Sequence, residues 1–274
     1  MLTLAGRLGA QLGRTLGCLG INTADSQEIP VNRIKNQTGV IYGSAIALKL
    51  ASRLHQSPLD LATSIGLKFQ TLNPELGKFP PDVTIQVLPS GMLQFEFTDL
   101  GIAAWLEQMI RYPWISTPIQ DRQILPDLFG IQYSHARCCS LLRLGDRDQL
   151  ITLEASNLIS TLPLKISPHS PPIPWLNPQE KLQFTQSYEY QLLTESVNLV
   201  DILFCSASPQ KWLKIADQFS QSFQQFYRYC QIWGEVKQGK TELAQARLGL
   251  VFITQFLLKI LLEEKLGIMA PLDL

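Results

Sequence analysis

Residues 131–143 read Ile-Gln-Tyr-Ser-His-Ala-Arg-Cys-Cys-Ser-Leu-Leu-Arg, and no other stretch gathers so many reactive and recognition side chains. Their spacing predicts a helix over 130–143 with two chemically different faces. Ile131, His135, Cys138 and Leu142 fall on one stripe, which sets His135 against a core as a hydrogen-bonded imidazole. Cys139 follows His135 at the i+4 position. A cysteine–histidine nucleophile needs a thiolate in electropositive, accessible surroundings. Among these apolar neighbours a buried, unactivated thiol is expected instead. Tyr133, Arg137 and Ser140 lie on the opposite face. A ring beside a guanidinium suits a splayed RNA base and its phosphate, and it equally suits a solvated helix face.

A second cluster, Tyr227-Arg228-Tyr229, falls late in a later helix. One tyrosine is expected to face the core, leaving the others to form a stacking platform. Arg247 sits between Leu243 and Leu250 on an apolar stripe. An arginine there must be paired, so a structural ion pair is expected, with RNA contact as the alternative.

The elements that must position these groups follow from hydropathy and punctuation. Residues 1–20 read as one helix, weakened by Gly6, Gly9, Gly13 and Gly17. Residues 44–54 form a better one, and Ser57-Pro58 starts another, with Ser57 as N-cap and Pro58 at the first helical position. Val83–Val87 and Met92–Phe97 alternate on either side of Pro89-Ser90-Gly91, a hairpin signature. Thr98 or Asp99 caps a helix running to about Ile110. Residues 111–129 hold three prolines and no period, and read as a linker. A second irregular stretch, 160–178, holds six prolines and reads as a long loop. The rest is predicted as three long helices, 179–204, 208–233 and 239–265. The fold class is therefore mainly α, with a small α+β N-terminal domain and a C-terminal helical bundle.

Composition narrows the function. The 274 residues are 46% hydrophobic and 17% charged, enough apolar mass for packed cores. Net charge is zero, against a strong non-specific nucleic-acid binder but not against a local basic patch. Residues 1–53 carry six basic and two acidic side chains. Five cysteines, no Cys-x-x-Cys spacing and only three histidines predict neither a metal site nor a cofactor. Cysteines among apolar residues point to free thiols and a cytoplasmic location. The run Leu248–Leu262, interrupted by Gln255 and Lys259, is too short to span a bilayer and reads as a core helix. Residues 1–22, with Arg7 and Arg14 and no acid, could also read as a transit segment.

Several separated motifs fall in one order. Gln132-Tyr133-x-His135-Ala136-Arg137 is followed by Tyr227-Arg228-Tyr229-Cys230, then Ala246-Arg247-Leu248, then Leu266-Gly267-Ile268-Met269-Ala270-Pro271. Together they resemble the DALR-type anticodon-binding domain of the arginyl-tRNA synthetases, over residues 130–274. Residues 1–110 resemble the N-terminal additional domain of that family. The likeness runs through Tyr42-Gly43-Ser44-x-Ile46-Ala47-Leu48-Lys49-Leu50-Ala51, Ser57-Pro58-x-Asp60-Leu61-Ala62 and Val87-x-x-Ser90-Gly91-Met92-Leu93-Gln94-Phe95.

The resemblance implies tRNA, arginine tRNA first, as the partner. It adds Met269 as a residue near the anticodon loop, and Arg33, Lys35 and Lys49 as contacts to tRNA phosphates. The chain ends Leu272-Asp273-Leu274, unlike the family's usual ending. The family's His-Ile-Gly-His and Lys-Met-Ser-Lys catalytic signatures are absent from this sequence. A 19-residue Pro-rich stretch, 111–129, cannot fold into the intervening catalytic domain, which must surround ATP phosphates with donors. The implied function is a non-catalytic tRNA chaperone or adaptor, serving a tRNA-modifying enzyme. The alternatives are a protein-interaction scaffold and the tRNA-binding subunit of a split synthetase.

Overall fold

Four leucines at every fourth position, Leu4, Leu8, Leu12 and Leu16, give the first helix, α1 (Leu4–Cys18), its buried stripe. Its four glycines lie off that stripe, none of them buried, so their low helix propensity is offset by apolar packing. The computed structural model describes residues 3–21, 29–35, 39–72, 83–112, 128–154, 164–203 and 208–274. The chain divides into two units, residues 1–105 and 106–274.

In the first unit, β1 (Asn32–Ile34), β2 (Ile41–Ser44), β3 (Val83–Val87) and β4 (Leu93–Phe97) form an antiparallel sheet in the order β1-β2-β4-β3. Helices α2 (Ile46–Leu54) and α3 (Pro58–Thr71) complete the core. Phe69 of α3 meets Phe95 of β4 at 5.1 Å between ring centroids, and Tyr42 meets Phe97 edge-on at 5.9 Å. Ser57 stands at the N-cap of α3 as predicted, with Pro58 following, but its side chain accepts no capping hydrogen bond. Helix α4 (Asp99–Arg111) begins after Thr98, whose Oγ1 accepts the Gly101 N–H at 3.3 Å.

The β3–β4 turn packs against the start of α3, and Gly91 makes that approach possible. It has φ +81°, and a Cβ there would lie 2.7–2.8 Å from Pro58 atoms, two of them backbone. A backbone wall cannot move aside as a flexible side chain can. Gly91→Ala is therefore expected to destabilise this unit by about 2 kcal/mol or more, from the left-handed φ and the clash together. Urea unfolding followed by hydrogen exchange on the sheet amides checks this; an unchanged midpoint and unchanged protection would refute it.

The second unit is helical: α5 (Phe129–Arg147), α6 (Ser187–Ile202), α7 (Pro209–Tyr229), the short α8 (Glu235–Gly239) and α9 (Thr241–Ile260), which runs on into a wider π-helical turn, Leu261–Lys265. Every residue from 246 to 263 is buried. Thr241–Lys265 is long and apolar enough to cross a membrane by composition, yet 94% of its apolar window is buried inside the protein. It serves as the central core helix. Gly249 admits the Trp175 indole onto its surface: a Cβ there would lie 2.4 Å from the ring.

Three expected boundaries move. Residues 179–186 are not helical. Asn177 Oδ1 accepts the N–H groups of Gln179 and Lys181, and a bridge pairs Leu176 with Leu182. Helix α6 starts only where Gln186 and Glu189 form a reciprocal capping box. Helix α7 stops at Tyr229, because Cys230 leaves the helical region at φ −108° and ψ 87°, and Gly234 at φ +70° then leads into α8. Helix α5 starts at Phe129, a residue assigned above to the linker. Residues 113–127 of that linker and 160–163 of the expected loop fall outside the described residues.

Candidate nucleic-acid interface

Helix α5 divides as its periodicity predicts. His135, Cys138 and Cys139 are fully buried, whereas Tyr133 is 40% exposed and Ser140 is exposed. His135 Nδ1 lies 2.7 Å from the Pro271 carbonyl oxygen, and Nε2 lies 2.7 Å from the Gln255 amide nitrogen. A carbonyl only accepts, so Nδ1 carries the proton and Nε2 accepts from Gln255. The imidazole is thus a neutral core strut. Burial pushes it down to about 4, against the weaker opposing effect of the Pro271 hydrogen bond.

The Cys139 Sγ is 3.9 Å from Nδ1, but burial pushes the thiol up to about 12. A protonated thiol beside a neutral imidazole is the opposite of an activated pair. Among the described residues no group of three or more His, Cys, Asp or Glu side chains is placed to hold a metal ion.

The outer face of α5 joins that of α7. Arg137 donates from Nη2 to the Tyr227 hydroxyl, and its guanidinium carbon lies 4.7 Å from the Tyr227 ring centroid. The Tyr227 ring also stacks near Phe223, at 6.2 Å and 18°. Tyr133 stacks on Phe129 at 6.0 Å and 24°. The exposed rings of Phe129, Tyr133 and Tyr227, with the Arg137 guanidinium, thus line the outer α5–α7 seam above the buried Phe223. Ser140 belongs to the same face, but its hydroxyl bonds back to the Ala136 carbonyl at 3.1 Å.

The expectation that one of Tyr227 and Tyr229 faces the core is corrected. Tyr227 is 38% and Tyr229 is 47% exposed, because Phe223, Phe226 and Cys230 fill the inward positions. Arg228 is exposed, with its guanidinium carbon 5.4 Å from the Tyr229 ring centroid.

Arg247 leaves the set of RNA contacts. It is 4% exposed, and Nε donates to Glu189 Oε1 at 2.6 Å, while Nη1 donates to the Gln231 carbonyl. Glu189 is itself fully buried, and its other oxygen accepts the backbone N–H groups of Thr185 and Gln186 at 2.6 and 2.5 Å. One ion pair therefore ties α9 to the start of α6 and to the chain leaving α7.

Met269 is half-buried in a terminal segment that α5 grips by its carbonyls: Gln132 donates to Met269 O at 3.4 Å, and His135 to Pro271 O. Arg143 adds an ion pair to Asp273 at 2.6 Å.

In the first unit, Lys35 and Lys49 are exposed. Arg33 donates to the Gly39 carbonyl at 3.3 Å, and its guanidinium carbon lies 5.4 Å from the Tyr42 ring centroid.

Sequence reasoning did not select Phe129 or Tyr188 as site residues, and it placed Tyr229 only within the Tyr227-Arg228-Tyr229 cluster. Phe129 had a signal, since it lies outside the buried α5 stripe. The Tyr188–Tyr229 pair joins residues 41 positions apart, with rings 4.5 Å apart and 14° from parallel, and no local pattern announces it.

The family model described as "DALR anticodon binding domain" matches residues 131–274. The chain belongs to the DALR anticodon-binding domain family. Its DALR region is α5 to the terminal segment, the part that carries the aromatic seam. Curated relatives include an "Arginine--tRNA ligase" of Synechococcus sp. (strain JA-3-3Ab), 32% identical over 144 residues, covering 52% of this chain and 21% of that protein. Another is an "Arginine--tRNA ligase" of Ruminiclostridium cellulolyticum, 28% identical over 144 residues, covering 53% of this chain and 22% of that protein. The chain thus spans about a fifth of the length of these relatives. No solved structure matches it.

Proposed function

We propose that this chain binds tRNA, arginine tRNAs first, through the outer α5–α7 face of its DALR bundle, and acts as a non-catalytic tRNA chaperone or adaptor. The observation that carries the reading is the seam of the exposed Tyr133 and Tyr227 rings with the Arg137 guanidinium within the matched region, extended by the exposed Phe129 just before it. Exposed rings supply stacking surfaces for unpaired bases, and a guanidinium supplies charge for their phosphates. The two arginine–tRNA ligases that match the chain favour the arginine isoacceptors. Lys35 and Lys49 give the first unit exposed cations for tRNA phosphates outside the anticodon loop. The shortness of 111–129 supports the non-catalytic reading. A tRNA-modifying enzyme, or a separately encoded synthetase subunit, would then do chemistry on the presented tRNA. Four free cysteines among the described residues accord with a cytoplasmic setting.

The test is binding of the purified chain to a panel of tRNA transcripts at low and near-physiological salt. Binding that survives the higher salt and prefers arginine tRNAs is expected, with Tyr133→Ala weakening it about tenfold. Weak binding, equal across tRNAs and lost with salt, would reduce the interaction to phosphate attraction and leave the protein-scaffold reading in its place. Arginine-dependent ATP–pyrophosphate exchange by the pure chain would overturn the non-catalytic part.

A further inference from the structure

Tyr227 lies in the α5–α7 seam, but Arg137 and Phe223 already engage its ring. Its hydroxyl also accepts from Arg137. It braces α5 against α7 within that seam. On the other side of the same helix end, Tyr229 is the last residue of α7, and Tyr188 is the second of α6. Their rings stack nearly parallel at 4.5 Å, and Tyr229 keeps almost half its surface open to solvent. Arg228 stands beside them and makes no ion pair among the described residues. The backbone beneath is anchored from the core. Glu189 adjoins Tyr188 and caps the start of α6, and its partner Arg247 holds Gln231, two residues beyond Tyr229.

We infer that Tyr188, Tyr229 and Arg228 form a second stacking subsite for one unpaired nucleotide of the bound RNA, on the opposite side of α7 from the Phe129–Tyr133–Arg137 seam. The inference rests on the tRNA-binding reading above. An open aromatic face takes a base of any identity, because every base has a π-face. The exposed Arg228 guanidinium, which rests over the Tyr229 ring 5.4 Å from its centroid, swings to the phosphate of that nucleotide as the base takes its place on the ring. The rigid anchoring lowers the ordering cost of the platform, the condition under which a stack adds most to affinity. An RNA strand held in both places would cross the C-terminal end of α7.

The test uses the full chain and an arginine-tRNA transcript whose anticodon loop carries 2-aminopurine, one loop position at a time. Its fluorescence falls when the base stacks on a ring. Wild-type protein is expected to quench at two separated loop positions. Tyr229→Ala should abolish quenching at one of them and weaken binding about tenfold, while Tyr229→Phe keeps both. Arg228→Ala, on an exposed residue whose loss leaves the core untouched, should weaken binding severalfold and lower the salt dependence by about one phosphate contact. Wild-type-like affinity and unchanged quenching in both Tyr229→Ala and Arg228→Ala would overturn the subsite while leaving tRNA binding in place. Failure of the wild-type chain to bind any tRNA would remove the tRNA-binding reading and the subsite with it.

Discussion

Arg247→Ala is expected to cost about 3–5 kcal/mol, enough to unfold the helical unit under mild conditions. The reason is the carboxylate left behind. Glu189 is fully buried, and its Oε1 is matched at 2.6 Å by the guanidinium. Without that partner the protein must keep a bare charge out of water, protonate it, or open α6 to hydrate it. Opening α6 also gives up the capping bonds to Thr185 and Gln186. The Gln231 carbonyl loses its donor as well.

A double variant separates the pair from its parts. Glu189→Gln with Arg247→Met removes both charges while keeping a neutral acceptor at the start of α6. It should recover well over half of the single-variant loss, because a buried pair replaced by neutral groups is often close to neutral in stability. Chemical unfolding of the wild type and the three variants measures this cycle. Additive losses would mean that the two side chains do not act as a unit. A loss below about 1 kcal/mol for Arg247→Ala would mean that the pair is not buried in solution.

The second large effect is a loss of stability in mild acid, carried by His135. Its folded value is held at about 4, well under the ordinary 6.5, because the imidazole is enclosed. Lys259 and Arg143 add their positive charges to the same effect, against the opposing Pro271 hydrogen bond. Below pH 6.5 the unfolded chain takes up a proton that the folded chain refuses, so the equilibrium moves toward unfolding as pH falls. The contribution is complete above about pH 6.5 and is lost by about pH 4. The full loss is about 3 kcal/mol, with a slope approaching 1.4 kcal/mol per pH unit in between.

Glu263 works in the other direction. Burial raises its carboxyl, so the folded chain binds that proton more readily and gains relative stability as pH falls. The His135 effect is therefore read as a difference between two proteins. His135→Asn keeps a side-chain N–H for the Pro271 carbonyl but has no titrating nitrogen. It should be less stable than wild type at pH 7 and should show a flatter stability curve between pH 6.5 and 4.5. Parallel curves for the two proteins would show that His135 does not titrate on unfolding in that range.

The sequence alone determined the local elements and the two faces of α5. A period of 3.6 with His135 and Cys138 among apolar residues leaves one inward stripe, and Tyr133, Arg137 and Ser140 must then face out. The β3–β4 hairpin, the Pro58 helix start and the Leu248–Leu262 core helix were equally legible, because each rests on short-range propensity and burial pattern. The ordered motifs from Gln132 to Pro271 carry the family resemblance by their residue types and order alone. That Arg247 needs a partner followed from its apolar neighbours.

Only the tertiary structure decided who the partners are. Arg247 finds Glu189 from 58 residues away, and His135 finds Pro271 from 136 away. Nothing in local spacing selects one acceptor among many. Tyr227 and Tyr229 could not be oriented from their triplet, since their directions depend on Phe223 and Phe226 occupying the inward positions of α7. The stack of Tyr188 on Tyr229 exists because the start of α6 and the end of α7 are brought side by side. The late start of α6 had the same origin: the turn at Asn177 and the bridge from Leu176 to Leu182 outweigh the helical period of 179–186. Clear apolar periodicity, as in α5, fixes which residues are buried or open; the long-range packing of the bundle fixes what each one meets.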